Sequence, residues 1–214
     1  MYLRIEEFED QHSIPGIFAF GVIDAKEHVR LGGNRNPTLE WNALPAGTRS
    51  LVLLCVDVDV PSKADDVNQE GREIPPDLPR ADFYHWVMVD IPPSVGGIAG
   101  GSCSDGITTG GKKQPPGPEG SRQGINDYTS WFAGDEKMAG DYFGYDGPCP
   151  PWNDSLLHHY HFVLYATDLE RCAVDAKFTG GDVFAAIKEH IIEEARVTGI
   201  YTLNPRLAGG GAGL

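Results

Sequence analysis

Acid–base or anion-binding chemistry in this chain has three places to come from. They are Asp57 and Asp59 in LVLLCVDVDVP (51–61), His85 in FYHWVMVDI (83–91), and the His158, His159, Tyr160, His161 run in HHYHFVLYAT (158–167). Paired carboxylates can hold a metal, share a proton or face water. Histidines can donate, accept or ligate, and a tyrosine hydroxyl can donate to an anion. Taken alone, each motif has an ordinary reading. An Asp pair at a strand end is a solvated edge or a turn former, and a single His on an apolar strand is a hydrogen-bonded core residue. His159 and His161 share a strand face and could chelate, but no third ligand accompanies them, so no metal site is assigned.

All three segments read as strands, and alternation assigns their faces. Asp57 and Asp59 fall with Leu51, Leu53 and Cys55, and Val52, Leu54, Val56, Val58 and Val60 form the other face. Both faces begin apolar, as in a central strand, and the acids come only at its C-terminal end. His85 falls with Phe83, Val87, Val89 and Ile91. His158 and Tyr160 fall with Phe162 and Leu164, and His159 and His161 with Val163 and Tyr165. Each strand therefore places a polar group on an apolar face near one end. Buried polar groups need partners, so Asp57 or Asp59, His85, His158 and Tyr160 are expected to converge in one pocket and satisfy one another and a ligand.

The rest of the chain must position that cluster. The 214 residues include 27 Gly and 16 Pro, a turn-rich composition that favours many short strands. Residues 17–24 and a short piece around Thr38–Trp41 read as further strands, 61–82 as a long polar loop, and 92–150 as mostly irregular. One helix is expected from Gly180 to Arg196, capped by Thr179 and Asp182, with Phe184, Ile187 and Ile191 on one face and Gly199 ending it before the strand IYTL (200–203). Residues 1–207 are read as one domain and 208–214 as a flexible tail. The net charge of −14 argues against nucleic acid and anionic lipid surfaces as partners. No apolar run is long enough to span a membrane, no secretory leader is apparent, and Cys55, Cys103, Cys149 and Cys172 form no CxxC, so a cytoplasmic location is expected. GITTGGKK (106–113) lacks both the Ser/Thr and the helix of a phosphate-binding loop, GGSCSDG (100–106) does not fit a nucleophile elbow, and no cofactor motif is identified.

Four motifs in order resemble the phosphatidylethanolamine-binding protein family. They are Asp57-Val58-Asp59-Val60-Pro61, His85-Trp86, Gly144-Tyr145-Asp146-Gly147-Pro148-Cys149-Pro150-Pro151 and Leu157-His158-His159-Tyr160. GGNRNPTLEW (32–41), RQGINDY (122–128) and EHIIEEARVTGIYTL are similar to its bacterial and archaeal, Raf kinase inhibitor-like branch. The resemblance implies a mainly β fold, a Greek-key β-sandwich with a C-terminal helix and long loops. It also implies a small anion pocket formed by Asp57, His85, His158 and Tyr160, rimmed by Gly147, Pro148, Pro150 and Pro151. Asp59, Pro61, Trp86 and Tyr145 are read as supporting residues. Val58 replaces a proline of the family pattern and His159 an arginine, and segments 62–84 and 105–141 are longer than usual. The function implied is binding of a small anionic or phosphorylated ligand such as a phospholipid head group, with regulation of a kinase or serine protease. An inhibitor acting through protein contact and a hydrolase using Asp–His chemistry are the alternatives. Trp131 and Phe132 are candidate homodimer contacts.

Overall fold

The structure, a computed structural model, describes residues 1–208. The flexible tail expected over 208–214 lies outside the described residues from 209 onward. The long apolar segments form β6 (Ser50–Pro61), β7 (Arg80–Ile91) and β10 (His158–Thr167). The shorter strands are β1 (Tyr2–Ile5), β2 (His12–Ser13), β3 (Gly21–Asp24), β4 (His28–Leu31), β5 (Leu39–Asn42), β8 (Gly97–Ile98), β9 (Arg122–Gln123) and β11 (Ile191–Tyr201). A six-stranded sheet runs β2-β11-β10-β6-β7-β9, a three-stranded sheet β1-β5-β8, and β3-β4 forms a hairpin. β10 returns after a long excursion to pair with β6 on the side away from β7, the crossover of a Greek-key sandwich.

Two apolar layers flank the large sheet. Its inner face packs Leu51, Leu53, Cys55, Trp86, Met88, Phe162 and Leu164 against Leu3, Ile5, Leu39 and Trp41 of the smaller sheet. Its outer face carries Val52, Leu54, Val87, Val89, Val163 and Tyr165 beneath Val183 and Ile187 of α2 (Gly180–Ile187). Burial on both faces explains why β6 is an apolar run and not an alternating one.

α2 is shorter than the expected 180–196 helix. Thr179 and Asp182 do form the capping box, but the helix ends at Ile187, and residues 191–201 are a strand paired with β10. Along Ile191–Arg196 burial alternates residue by residue, and the antiparallel ladder to β10 overrides the helical propensity of the Glu-Glu-Ala-Arg stretch. Gly199 therefore lies inside a strand and caps no helix. Val183 and Ile187 make the buried stripe of α2, and Phe184 faces outward at 43% exposure.

Two shifts of register in β7 and one in β6 change the face assignment. Leu51 pairs with Ile91 and Leu53 with Met88; Cys55 pairs with Trp86 and Val56 with Tyr84. The extra residues are bulges, near Asp90 (φ 59°) and at His85. Ile91 and Phe83 thus return to the inner side while Val87 and Val89 stay on the outer, and the single face expected for His85 is split. In β6 two residues oppose one between Asp57 and Val60, so Asp59 no longer shares the face of Asp57.

Candidate functional site

A cavity of about 260 Å³ opens at the end of the inner sheet face where β6, β7 and β10 carry their polar residues. β6 contributes Asp57, Val60 and Pro61, β7 contributes Phe83 and His85, and β10 contributes Tyr160. Asp57 sits directly opposite Tyr160 in one antiparallel pair and opposite Phe83 in the other. The bulge at His85 is what brings the imidazole round to this side, with its ring centroid 5.1 Å from that of Tyr160 and 4.9 Å from that of Phe83.

The long loops build the walls. Segment 62–79 supplies Ala64, Val67 and Asn68. Tyr128 and Trp131 of α1 (Tyr128–Trp131), with Phe132 beside it, supply an aromatic side. Val29 of the hairpin, Cys149, Pro150 and Pro151 complete the lining. Buried Ile74 ties loop 62–79 to the backbone of Asn153 and Ser155, and its 66–72 stretch is gathered by one buried side chain, Asn153. Its Nδ2 lies 2.8 Å from Asp66 O, 3.2 Å from Arg72 O and 3.4 Å from Gln69 O, and its Oδ1 accepts from Asn68 N–H at 2.9 Å.

Asp57 is fully buried. Its Oδ2 accepts from His158 Nδ1 at 2.7 Å and its Oδ1 from the Asp59 N–H at 2.9 Å. His158 is not on the cavity wall. It lies behind Asp57 and gives its second nitrogen, Nε2, to Asp154 Oδ2 at 3.1 Å. Arg80 grips Asp154 with Nη1 to Oδ2 at 2.6 Å and Nη2 to Oδ1 at 3.1 Å. A ring that donates from both nitrogens to carboxylates is an imidazolium. Burial works against that charge, but Asp57 and then Asp154 outweigh it and raise His158 to about 9. Burial likewise pushes Asp57 up, and the charge and hydrogen bond of His158 outweigh it, leaving the carboxyl below its ordinary range.

His85 has the opposite surroundings. Its Nδ1 is 2.8 Å from the backbone oxygen of Asp146, which can only accept, so Nδ1 carries the hydrogen and Nε2 is left for the cavity. Burial lowers its pKa, a shift that the charges of Asp57 and Asp146 offset only in part, so at neutral pH the ring is uncharged. The Asp146 carboxylate is bound by Lys112 Nζ at 2.7 Å, Asn34 Nδ2 at 2.7 Å and Asn126 Nδ2 at 2.8 Å. Tyr160 is fully buried, and its Oη has no hydrogen-bond partner among the described residues. Burial, then the Asp57 charge, holds its proton on well above the ordinary phenol range.

Of the residues singled out in the sequence, Asp57, His85, Tyr160, Pro61, Pro150 and Pro151 meet at the cavity. Gly147 and Pro148 lie behind it. A Cβ on Gly147 would collide with the Phe18 carbonyl oxygen, and Pro148 O accepts from Phe20 N at 2.9 Å. Tyr145 donates to Phe18 O at 2.7 Å and packs edge-on to Trp86, which donates to Gln123 Oε1 at 2.7 Å. Asp59 turns away to His159, accepting from its N–H at 2.8 Å and lying 2.7 Å from its Nδ1. His161 Nδ1 pairs with Thr198 Oγ1. Sequence reasoning missed Asn34, Lys112, Asn126, Asp146, Asn153 and Asp154. GGNRNP, RQGINDY and GYDGPCPP contained three of them, but as pattern letters without a role.

Fold and site together define a β-sandwich protein with a ligand-sized cavity at one end of its strands. The chain belongs to the phosphatidylethanolamine-binding protein family, whose pattern matches residues 4–202. A UPF0098 protein of Methanothermobacter thermautotrophicus is 29% identical over 201 residues, 94% of this chain and 98% of that protein. The UPF0098 protein YbcL of Escherichia coli is 27% identical over 172 residues, 80% of this chain and 74% of that protein. The crystal structure of E. coli YbcL, described as a new member of the mammalian PEBP family, superposes with a TM-score of 0.67 at 25% identity, covering 94% of this chain and 97% of that one. No helix among the described residues is long and apolar enough to cross a membrane.

Proposed function

We propose that the protein binds a small organic phosphate or carboxylate, of the kind a phospholipid head group represents, with its anionic end on the Asp57–His85–Tyr160 floor. The observation that carries this reading is the Tyr160 hydroxyl, buried at the floor opposite Asp57 with no hydrogen bond of ordinary geometry among the described residues. An orphaned buried donor costs about 1–3 kcal/mol, which a ligand oxygen would recover. The walls of Val60, Val67, Phe83, Phe132 and Pro151 suit an apolar or aromatic substituent on the ligand. In this reading His158, Asp154 and Arg80 brace Asp57 and touch no ligand. Hydrolysis is not part of it. Cys149 is held as a thiol by burial, its pKa pushed up to about 12. A kinase or serine protease target would meet the outer surface of loop 62–79, whose inner side is cavity wall, and a ligand at the cavity mouth would add to or block that contact. The four unpaired cysteines fit the cytoplasmic placement this reading assumes.

The test is calorimetric titration with phenyl phosphate. Tyr160→Phe is expected to weaken binding by about tenfold or more, because a hydrogen bond to a charged oxygen contributes roughly 1.5–3 kcal/mol. Equal affinity of the two proteins would overturn the assignment of Tyr160.

A further inference from the structure

The floor is poorly matched to a bare anion. Three carboxylates, Asp57, Asp154 and Asp146, are met by three cations, His158, Arg80 and Lys112, so the cluster carries no net charge. The cations are also engaged. His158 spends both nitrogens on carboxylates, Arg80 is clamped to Asp154, and Lys112 reaches the Asp146 carboxylate from behind. Around His85 itself stand Asp57 from β6, His158 and Tyr160 from β10, Tyr128 from α1, and Asp146 and Cys149 from the 144–151 loop. Facing the cavity are thus one donor, Tyr160 Oη, and two acceptors, the free His85 Nε2 and the Asp57 carboxylate. A fully deprotonated oxyanion offers acceptors only, and would set lone pairs against both.

We propose that an oxyanion enters this pocket together with a proton, held either on His85 Nε2 or on the ligand oxygen that faces Asp57. The proposal rests on the anion-binding reading above and adds the protonation state the pocket selects. With the proton in place, Tyr160 and His85 both donate to the ligand and Asp57 keeps the imidazolium charged. An oxyanion that brings its own proton satisfies Asp57 directly. Phosphate can do so around neutrality, and sulfate cannot. Before binding, the buried His85 is reluctant to be charged. A bound anion raises its pKa, so affinity is highest below the free-state titration and falls as pH rises through the window up to the bound-state value.

The experiment is titration calorimetry of the whole chain with sulfate and with inorganic phosphate from about pH 5.5 to about pH 8.5, in buffers of differing ionisation enthalpy. Sulfate affinity is expected to fall by up to about tenfold per pH unit, with uptake of about one proton per anion. Phosphate affinity should fall less, so that preference for phosphate over sulfate grows with pH. His85→Gln should flatten the sulfate profile. Should that variant misfold, NMR titration of the His85 ring in the wild-type protein serves instead, and its pKa should rise when sulfate is added. Sulfate binding of constant strength without proton uptake would overturn the proposal while leaving the anion site intact. Failure of both anions to bind at the acid end would remove the anion site as well.

Discussion

His158 and His85 belong to one polar cluster, both are buried, and they end in opposite charge states. His158 meets a carboxylate at each nitrogen, Asp57 at 2.7 Å and Asp154 at 3.1 Å. His85 meets a carbonyl at one nitrogen and the cavity at the other. Burial opposes charge in both, so the partners decide the outcome. A carboxylate on each side makes the ring a structural cation, whereas a backbone oxygen fixes its tautomer and leaves its charge to be set by whatever arrives. The first histidine holds the floor together, and the second is available to a ligand.

The comparison breaks most sharply if the structural cation is removed. His158→Leu leaves Asp57 buried without its cation and Asp154 with Arg80 alone. It is expected to cost about 3–5 kcal/mol, read as a lower denaturation midpoint in urea. A loss below about 1 kcal/mol would mean that the ring is not charged in the folded protein. The same charge can be removed by titration. The folded-state pKa of His158, about 9, lies above its ordinary 6.5, so its contribution is complete below pH 6.5 and is lost as pH rises through about 9. Unfolding free energy measured between these limits should decline in the wild-type protein and stay flatter in His158→Leu. Parallel profiles would assign the alkaline limb to other groups. The smallest effect is expected on the His85 side. Asp146→Asn strands the Lys112 ammonium, whose side chain is 13% exposed, at a cost of about 1–3 kcal/mol. It leaves the backbone oxygen that His85 uses, so the His85 ring should keep its tautomer by NMR. A change of tautomer would show that the carboxylate, and not the carbonyl, orients the ring.

Much of this was legible in the sequence, for physical reasons that differ by residue. The strands of Ser50–Pro61 and His158–Thr167 announce themselves because burial on both faces demands apolar, β-branched runs. That Asp57 and Tyr160 each lie on an apolar face near one strand end follows from alternation, but alternation sets no register and left Asp57 and Asp59 unseparated; the ladder of β6 with β10 places Asp57 opposite Tyr160. Alternation fails at bulges, and one at His85 and one near Asp59 send those side chains to faces that period-two counting does not give. Nothing local in FYHWV or DVDVP signals the extra residue. The helix expected over 180–196 failed for a related reason. Ile187 and Ile191 suit a helix face as well as a strand, and only the partner strand β10 decides. Asn153 and Asp146 were hidden because their roles are made by chain segments distant in sequence, such as Asp66 O for one and Lys112 for the other.

Asn153 carries one more consequence. Loop 62–79 buries Ile74 and sets Val67 on the cavity wall, and the Asn153 amide together with the backbone of Asn153 and Ser155 gathers it into one arrangement, with Trp152 N–H closing on Asn68 Oδ1 at 3.0 Å. The conformational entropy of ordering this stretch is therefore lost when the chain folds, and a ligand need not supply it again on arrival. The loop is long in sequence but stands at the cavity as fixed masonry, so a guest meets the same wall of Ala64, Val67 and Asn68 whenever it arrives.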